Sequence, residues 1–217
     1  MPNVLILSLE GFSFSARSLF QQLLPKLLSR AAVHESLTIQ DALNYILTGW
    51  PTIILITDAV ITGEDKDSQR LLHAVADYTK HGCTTVMMGL FAGEAEPDLL
   101  NHIFSKDFGL LWRVSEYTSY DTHLLSPDEN LIRTSSLVAS FSPKAVFLRR
   151  VPTAQTVYVA SSSSSNVAYA TYARVGLGKL GYIGDVNFGE EPERLILAMC
   201  HLDRPEDYLQ ETEEVEA

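Results

Sequence analysis

Residues 81–93, His-Gly-Cys-Thr-Thr-Val-Met-Met-Gly-Leu-Phe-Ala-Gly, read as a buried strand that breaks into a glycine-flanked turn. Many α/β hydrolytic enzymes place a Ser or Cys nucleophile on such a strained strand-to-helix elbow. Here the turn offers Gly89, Leu90 and Phe91, none of which can attack a carbonyl. Backbone N–H groups at the turn could still receive an anionic or carbonyl oxygen, the part of an oxyanion site that does not need a nucleophile. The scaffold for acyl chemistry is present without its reactive group.

Carboxylates at strand ends are the other candidates. In an open parallel sheet, ligands collect outside the carboxyl ends of the strands. Four such ends carry polar residues or glycine: Glu10-Gly11, Asp58, Gly89-Leu90, and Asp185 with Asn187. A carboxylate there can bind a polar ligand, or act as a general base on water if partly desolvated. The candidate ligand-binding set is therefore Glu10, Gly11, Asp58, Gly89, Leu90, Asp185 and Asn187, with Glu10 and Asp185 the candidate bases. Each also has an ordinary alternative: Glu10 solvated, Asp58 capping a loop, Asp185 and Asn187 closing a turn.

Other constellations fail on context. Gly176-Leu-Gly-Lys-Leu-Gly181 matches G-x-G-x-x-G, but a dinucleotide fingerprint must follow a strand and open a helix. Here the residues that follow read as a strand, so a tight turn between antiparallel strands is expected, with Gly176 or Gly178 at positive φ. Histidines 34, 73, 81, 102, 123 and 201 show no metal-ligand spacing. Cys83 and Cys200 sit in apolar contexts and read as buried free thiols rather than a disulfide framework. No motif points to a metal or a cofactor.

The elements that must position these residues alternate. Val4–Leu9 reads as a buried strand, 13–29 as a helix with a break or kink at Pro25, and Ala31–Leu37 as a short strand. Thr38 is the predicted cap of a helix over Ala42, Leu43, Ile46 and Leu47, with Asp41 completing the capping signature. Thr52–Thr57 is a third strand. A helix starting at Asp67 or Ser68 leads to the strand Cys83–Met88. Strand-helix alternation of this kind implies a parallel sheet with right-handed crossovers. The second half changes character: a short helix over 97–108, strand-like runs at 112–120, 145–151, 156–160 and 167–175, a polar turn at 161–166, a last strand 180–186 and a last helix 192–202.

Composition sets the outer bounds. A chain of 217 residues, 46% hydrophobic, can bury a sizeable core as one domain. Its net charge of −11 is uneven, with −6 of it in residues 203–217. Phosphate backbones require a cationic footprint, so nucleic acid is excluded as a partner. The start Met1-Pro2-Asn3 lacks the basic region of a signal peptide, and no apolar run reaches the roughly 18 residues of a membrane span. We expect a reduced, cytoplasmic protein with no membrane contact.

With those elements in place, the chain resembles the class I glutamine amidotransferase-like superfamily, in its ThuA-like and PfpI-like branch. The resemblance rests on Val4–Gly11, on Tyr78-Thr-Lys-His-Gly-Cys-Thr-Thr-Val-Met-Met-Gly89, and on Tyr172-Ala-Arg-Val-Gly-Leu-Gly-Lys-Leu-Gly-Tyr-Ile-Gly184. It implies a three-layer flavodoxin-like α/β fold, mainly parallel, with antiparallel additions in the second half. By the same resemblance Glu10 matches the carboxylate that PfpI-like relatives carry after their first strand. The family's elbow Cys is replaced, since Cys83 lies six residues early, and Gly184-Asp-Val-Asn187 stands where a His-x-Glu pair would follow the last strand. The expectation is a single domain over 1–204 with an acidic, disordered tail over 205–217. Its expected function is to bind a small polar metabolite or a protein partner, a homodimer included, at the strand ends. The alternative is a divergent hydrolase that activates water with Glu10 or Asp185.

The tail generates a first prediction. Truncation after Arg204 removes charge repulsion and little apolar surface, so the thermal midpoint should stay within about 1 °C of the full chain. A loss of several degrees in calorimetry would show that the tail docks.

Overall fold

The computed structural model describes residues 1–16, 18–125, 131–161 and 166–205. The first half runs β1 (Asn3–Leu7), α1 (Leu23–Arg30), β2 (Ala32–Ser36), α2 (Ile39–Thr48), β3 (Ile53–Ile56), α3 (Lys66–Lys80) and β4 (Thr84–Met87). The short α4 (Phe91–Glu94) and α5 (Pro97–Lys106) follow, then β5 (Arg113–Ser119), β6 (Thr122–Leu124), β7 (Ser140–Phe141) and β8 (Lys144–Arg149). The chain closes with β9 (Thr156–Ser161), β10 (Asn166–Val175), β11 (Gly178–Ile183) and α6 (Glu190–Met199).

One sheet contains them all, in the order β2-β1-β3-β4-β11-β10-β9-β6-β7, with β8 joining β10 and β5. Strands β2, β1, β3, β4 and β11 are parallel; from β10 onward every pairing is antiparallel. The fold is therefore α/β with a mixed sheet, parallel in the first half and antiparallel in the second. Alternation along β1 explains its unbroken apolar run: Val4 and Ile6 pack on one face with Leu23 and Leu27 of α1 and Leu195 of α6. Leu5 and Leu7 pack on the other with Ala42, Ile46, Leu71 and Val75 of α2 and α3. A strand covered by helices on both faces has no solvent side to mark with polar residues.

Local chemistry fixes several boundaries. Thr38 Oγ1 accepts the Asp41 N–H at 3.2 Å and starts α2. Asp65, not Asp67 or Ser68, caps α3, accepting the Asp67 and Ser68 N–H groups, each at 3.0 Å. The expected helix over 13–29 is corrected. Phe14–Ala16 and Ser18–Phe20 are single 3₁₀ turns, and α1 begins only at Leu23. Pro25 sits in its first turn, where a missing N–H costs nothing, so it does not kink a helix. The apolar residues that suggested one helix are buried together from separate turns: Phe14 and Phe20 stack, with ring centroids 4.2 Å apart, in the same core as Leu23 and Leu27. The first strand stops at Leu7 rather than Leu9, and the last occupies 178–183 rather than 180–186. Strands β6 and β7 and helix α4 are additions to the elements expected from sequence. The polar turn between β9 and β10 falls on 162–165, outside the described residues, as does the tail beyond Pro205.

The G-x-G-x-x-G segment is a hairpin. Val175 pairs with Gly178 across a two-residue turn, and Gly176 takes φ +61°. Gly178 serves packing: a Cβ there would lie 2.0 Å from the Thr79 carbonyl oxygen and 2.2 Å from that of Cys83. Replacing Gly178 by Ala should destabilise the protein by about 3 kcal/mol or more, because backbone atoms must move. Gly109→Ala, at φ +69° with nothing within 4 Å of its Cβ, should cost only about 1 kcal/mol. Denaturant unfolding of the two variants measures the contrast, and equal costs would refute the packing argument.

Candidate functional site

The strand ends are organised by Asp58. Its side chain is buried, 1% exposed, and its carboxylate accepts three backbone N–H groups. Oδ2 takes those of Leu9 at 2.7 Å and Glu10 at 3.3 Å; Oδ1 takes that of Val60 at 3.2 Å. Asp58 thus fastens the end of β1 to the end of β3 and caps the 3₁₀ turn Ala59–Thr62. Burial raises its pKa; the three N–H bonds pull it back, and the nearby Glu10 charge adds to the rise. This is the loop-capping role among its expected alternatives, and it fixes the backbone of Glu10.

Glu10 is exposed, and its carboxyl meets that of Glu94 on α4. Although Glu94 is exposed as a residue, its carboxyl is partly desolvated. That desolvation, then the Glu10 charge and a hydrogen bond with Glu10, push it up to about 7, with the Asp58 charge adding and the Ala59 N–H opposing. A carboxyl beside it disfavours the charged form of Glu94, as burial does. Among the described residues no cluster of His, Cys, Asp and Glu has the geometry of a metal site. Gly11, exposed with φ +87°, turns the chain away just beyond Glu10.

The elbow lies one strand beyond β3. Gly89 takes φ +69°, and Leu90 precedes the single turn of α4. Gly89 is buried: a Cβ on it would stand 3.1 Å from Phe20 Cζ, 3.4 Å from the Thr57 carbonyl oxygen and 3.7 Å from Phe188 Cε1. The space into which an elbow nucleophile would project is filled by a phenyl ring. Phe20 and Phe188 meet edge to face, 5.2 Å between centroids.

Asp185 is 7% exposed and closes a turn, as its ordinary alternative had it. Oδ1 accepts the Asn187 N–H at 2.8 Å and the Phe188 N–H at 2.7 Å; Oδ2 accepts the Tyr169 hydroxyl at 3.2 Å. Burial raises its pKa against these bonds. The turn sets Phe188 at φ +56° with its ring toward Gly89. The side of Asn187 away from this turn is exposed and borders a groove of about 260 Å³ with Ser18, Gln21, Gln22, Glu190 and Glu193. Behind it, Phe20, Gly89, Asp185, Phe188, Glu193 and Ile196 line an inner chamber of about 10 Å³. A larger groove of about 420 Å³ runs along α3 and α5. Its walls mix apolar side chains such as Leu72, Leu99 and Ile103 with polar ones such as His73, which meets Asp107 at 3.6 Å, and none of the strand-end residues reaches it.

The structure therefore separates the sequence-derived set. Glu10 and Asp58 come together with Glu94; Gly89 and Asp185 come together with Phe20, Phe188 and Glu193. The Leu90 carbonyl accepts the Gly93 and Glu94 N–H groups within α4, and Gly11 turns the chain beyond Glu10. Glu94 and Glu193 escape a reading by strand ends because both lie on helices, where an acidic residue near the N-terminus is ordinary. Cys83 and Cys200 are buried and unpaired, and burial pushes Cys83 up to about 12 and raises Cys200 also, so neither is a nucleophile near neutral pH. No helix among the described residues is long and apolar enough to cross a membrane.

No family model matches the sequence, and no curated protein matches it. Several solved structures share the fold. A putative ThuA-like protein from Bacteroides uniformis superposes with a TM-score of 0.58 at 11% identity, covering 93% of this chain and 90% of that one. A cytoplasmic protein from Salmonella typhimurium LT2 gives 0.57 at 11% identity, covering 98% and 99%. A β-galactosidase from Bacillus circulans sp. alkalophilus gives 0.58 at 12% identity over 92% of this chain, which spans 31% of that enzyme. At these identities the likeness is one of fold, consistent with a ThuA-like architecture.

The Glu10–Glu94 pair makes stability depend on pH in a defined sense. Glu94 ionises near 4.5 when unfolded and near 7 when folded, so its ionisation weakens the fold as pH rises through that interval. Glu94→Gln should leave the thermal midpoint unchanged near pH 4. It should raise it progressively to a plateau of about 1–2 °C above pH 7, the small size reflecting solvent screening. A constant difference across pH, or a loss above pH 7, would contradict the pairing.

Proposed function

We propose that this protein binds a small polar metabolite at the carboxyl ends of β1, β3 and β4, without forming a covalent acyl intermediate. The observation that carries the reading is the convergence of Glu10 and Glu94 above the buried Asp58. Two carboxyl groups side by side and open to solvent, with Glu94 pushed up to about 7, offer a donor and acceptors to hydroxyl or amide groups of a ligand. The filled space above Gly89 supports the absence of acyl chemistry, since the position of a nucleophile is taken by Phe20.

A second reading, hydrolysis without a covalent intermediate, draws on the same pair. Glu94, protonated up to about pH 7, has the state of a general acid, and the exposed Glu10 carboxyl beside it is the group that would orient the water. Asp185 is the weaker base of the two expected, because both its oxygens are engaged by the turn and by Tyr169. A protein partner at the same face, a second copy included, is the remaining alternative for the exposed Glu10.

Isothermal titration against a metabolite panel, with Glu10→Gln beside the native chain, tests the binding reading. The variant should weaken a ligand by about tenfold or more, about 1.4 kcal/mol, while its midpoint moves by less than about 1 °C, since Glu10 is exposed. A glutamine-analogue electrophile should leave no adduct at residues 87–93 in peptide mass mapping. An adduct there, or a ligand indifferent to Glu10→Gln, would sink the proposal.

A further inference from the structure

The inner chamber over Gly89 is lined by a buried carboxyl that the Glu10–Glu94 pair does not use. Glu193, on the first turn of α6, is 7% exposed, and its Oε2 is fully buried without a hydrogen-bond partner. The Leu23 N–H at the start of α1 satisfies part of the carboxylate, which accounts for its burial but leaves Oε2 unexplained. Buried acceptors in native proteins are nearly always paired, so an orphan one calls for a ligand or a solvent donor. Glu193 lines both the inner chamber and the outer groove, as do Phe188 and Gly189.

We propose that this double chamber binds a small primary ammonium compound, with the ammonium group seated between Glu193 and Asp185 and the remainder of the molecule in the outer groove. The walls select for charge and size. Two carboxyl groups line the inner chamber, and among the described residues no Lys, Arg or His lines either compartment. Lys26, the cation whose charge reaches Glu193, lies outside both linings. Anions are therefore disfavoured. The rings of Phe20 and Phe188 present aromatic surface, which attracts a cation. About 10 Å³ admits one nitrogen-sized centre and not a trimethylated head. Outside it, Ser18, Gln21, Gln22 and Asn187 offer hydroxyl and amide groups across about 260 Å³, enough for a short hydroxylated body. The Asp185 turn that sets Phe188 at φ +56° also places its ring at the chamber wall.

Glucosamine and ethanolamine are suitable probes, with glucose and N-acetylglucosamine as their uncharged counterparts. In heteronuclear NMR titrations of the full chain, the two amines should shift the amides of residues 185–196 and of 20–23, and the uncharged compounds should not. Glu193→Gln keeps the volume and removes the charge, so it should weaken the amines by about tenfold or more. Should that variant not fold, the comparison of glucosamine with its N-acetyl form still decides, because acetylation removes the charge from an otherwise similar ligand. Equal shifts by glucose, no shift by either amine, or amine shifts confined to residues 9–11, 58–60 and 94 would each overturn the proposal. The last of these would place the cation on the Glu10–Glu94 pair instead.

Discussion

Everything at the carboxyl edge of the sheet hangs on one buried carboxylate accepting three backbone N–H groups. Asp58 draws the chain leaving β1 against the chain leaving β3, and the direction taken by Glu10 follows. Burial makes an ionised Asp costly, and the raised pKa registers that cost. The bonds to Leu9, Glu10 and Val60 replace the lost water. Without Asp58 those N–H groups would need other acceptors, and Glu10 would have no reason to stand beside Glu94.

The same device recurs along that edge. Glu35, at the end of β2, accepts the Ser13 hydroxyl at 2.9 Å, the Ser15 hydroxyl at 3.0 Å and the Phe14 N–H. Against burial, which raises it, these bonds together with Ser8 hold its carboxyl below the usual range. Asp185 closes the turn after β11 in the same manner. Acidic residues at strand ends are thus mostly fasteners, and their charge is spent on backbone donors. Glu10 differs: its backbone N–H is held, while its own carboxyl faces solvent and Glu94. That contrast singles out a binding group more sharply than proximity to a strand end.

How much of this a sequence discloses depends on the range of the interaction. The parallel strands are legible because residues 4–7, 53–56 and 84–87 are each apolar enough to be covered on both faces. The Thr38–Asp41 cap and the 176–177 hairpin are legible because their partners lie within a few residues. Residues 13–29 mislead because their apolar side chains fall near helical spacing, yet Phe14 packs on Phe20 and Phe20 on Phe188, far away in the chain. Glu94 and Glu193 are silent for the same reason. Their surroundings come from β1, β3 and α1, so only the assembled fold gives them unusual protonation.

The elbow holds a strand-to-helix turn without a side chain that could react. A glycine at φ +69° after a buried parallel strand is the geometry that presents a nucleophile in enzymes of related shape. A side chain placed at Gly89 would meet Phe20, itself wedged against Phe14 and Phe188. The aromatic wedge also divides the edge into an open compartment at Glu10 and Glu94 and a covered one at Asp185 and Glu193. The physical consequence is that solvent screens the first pair of carboxyls and not the second. A ligand at the open pair gains from hydrogen-bond geometry, whereas in the covered chamber the gain lies in a cation meeting Glu193 Oε2, the carboxylate oxygen without a hydrogen-bond partner.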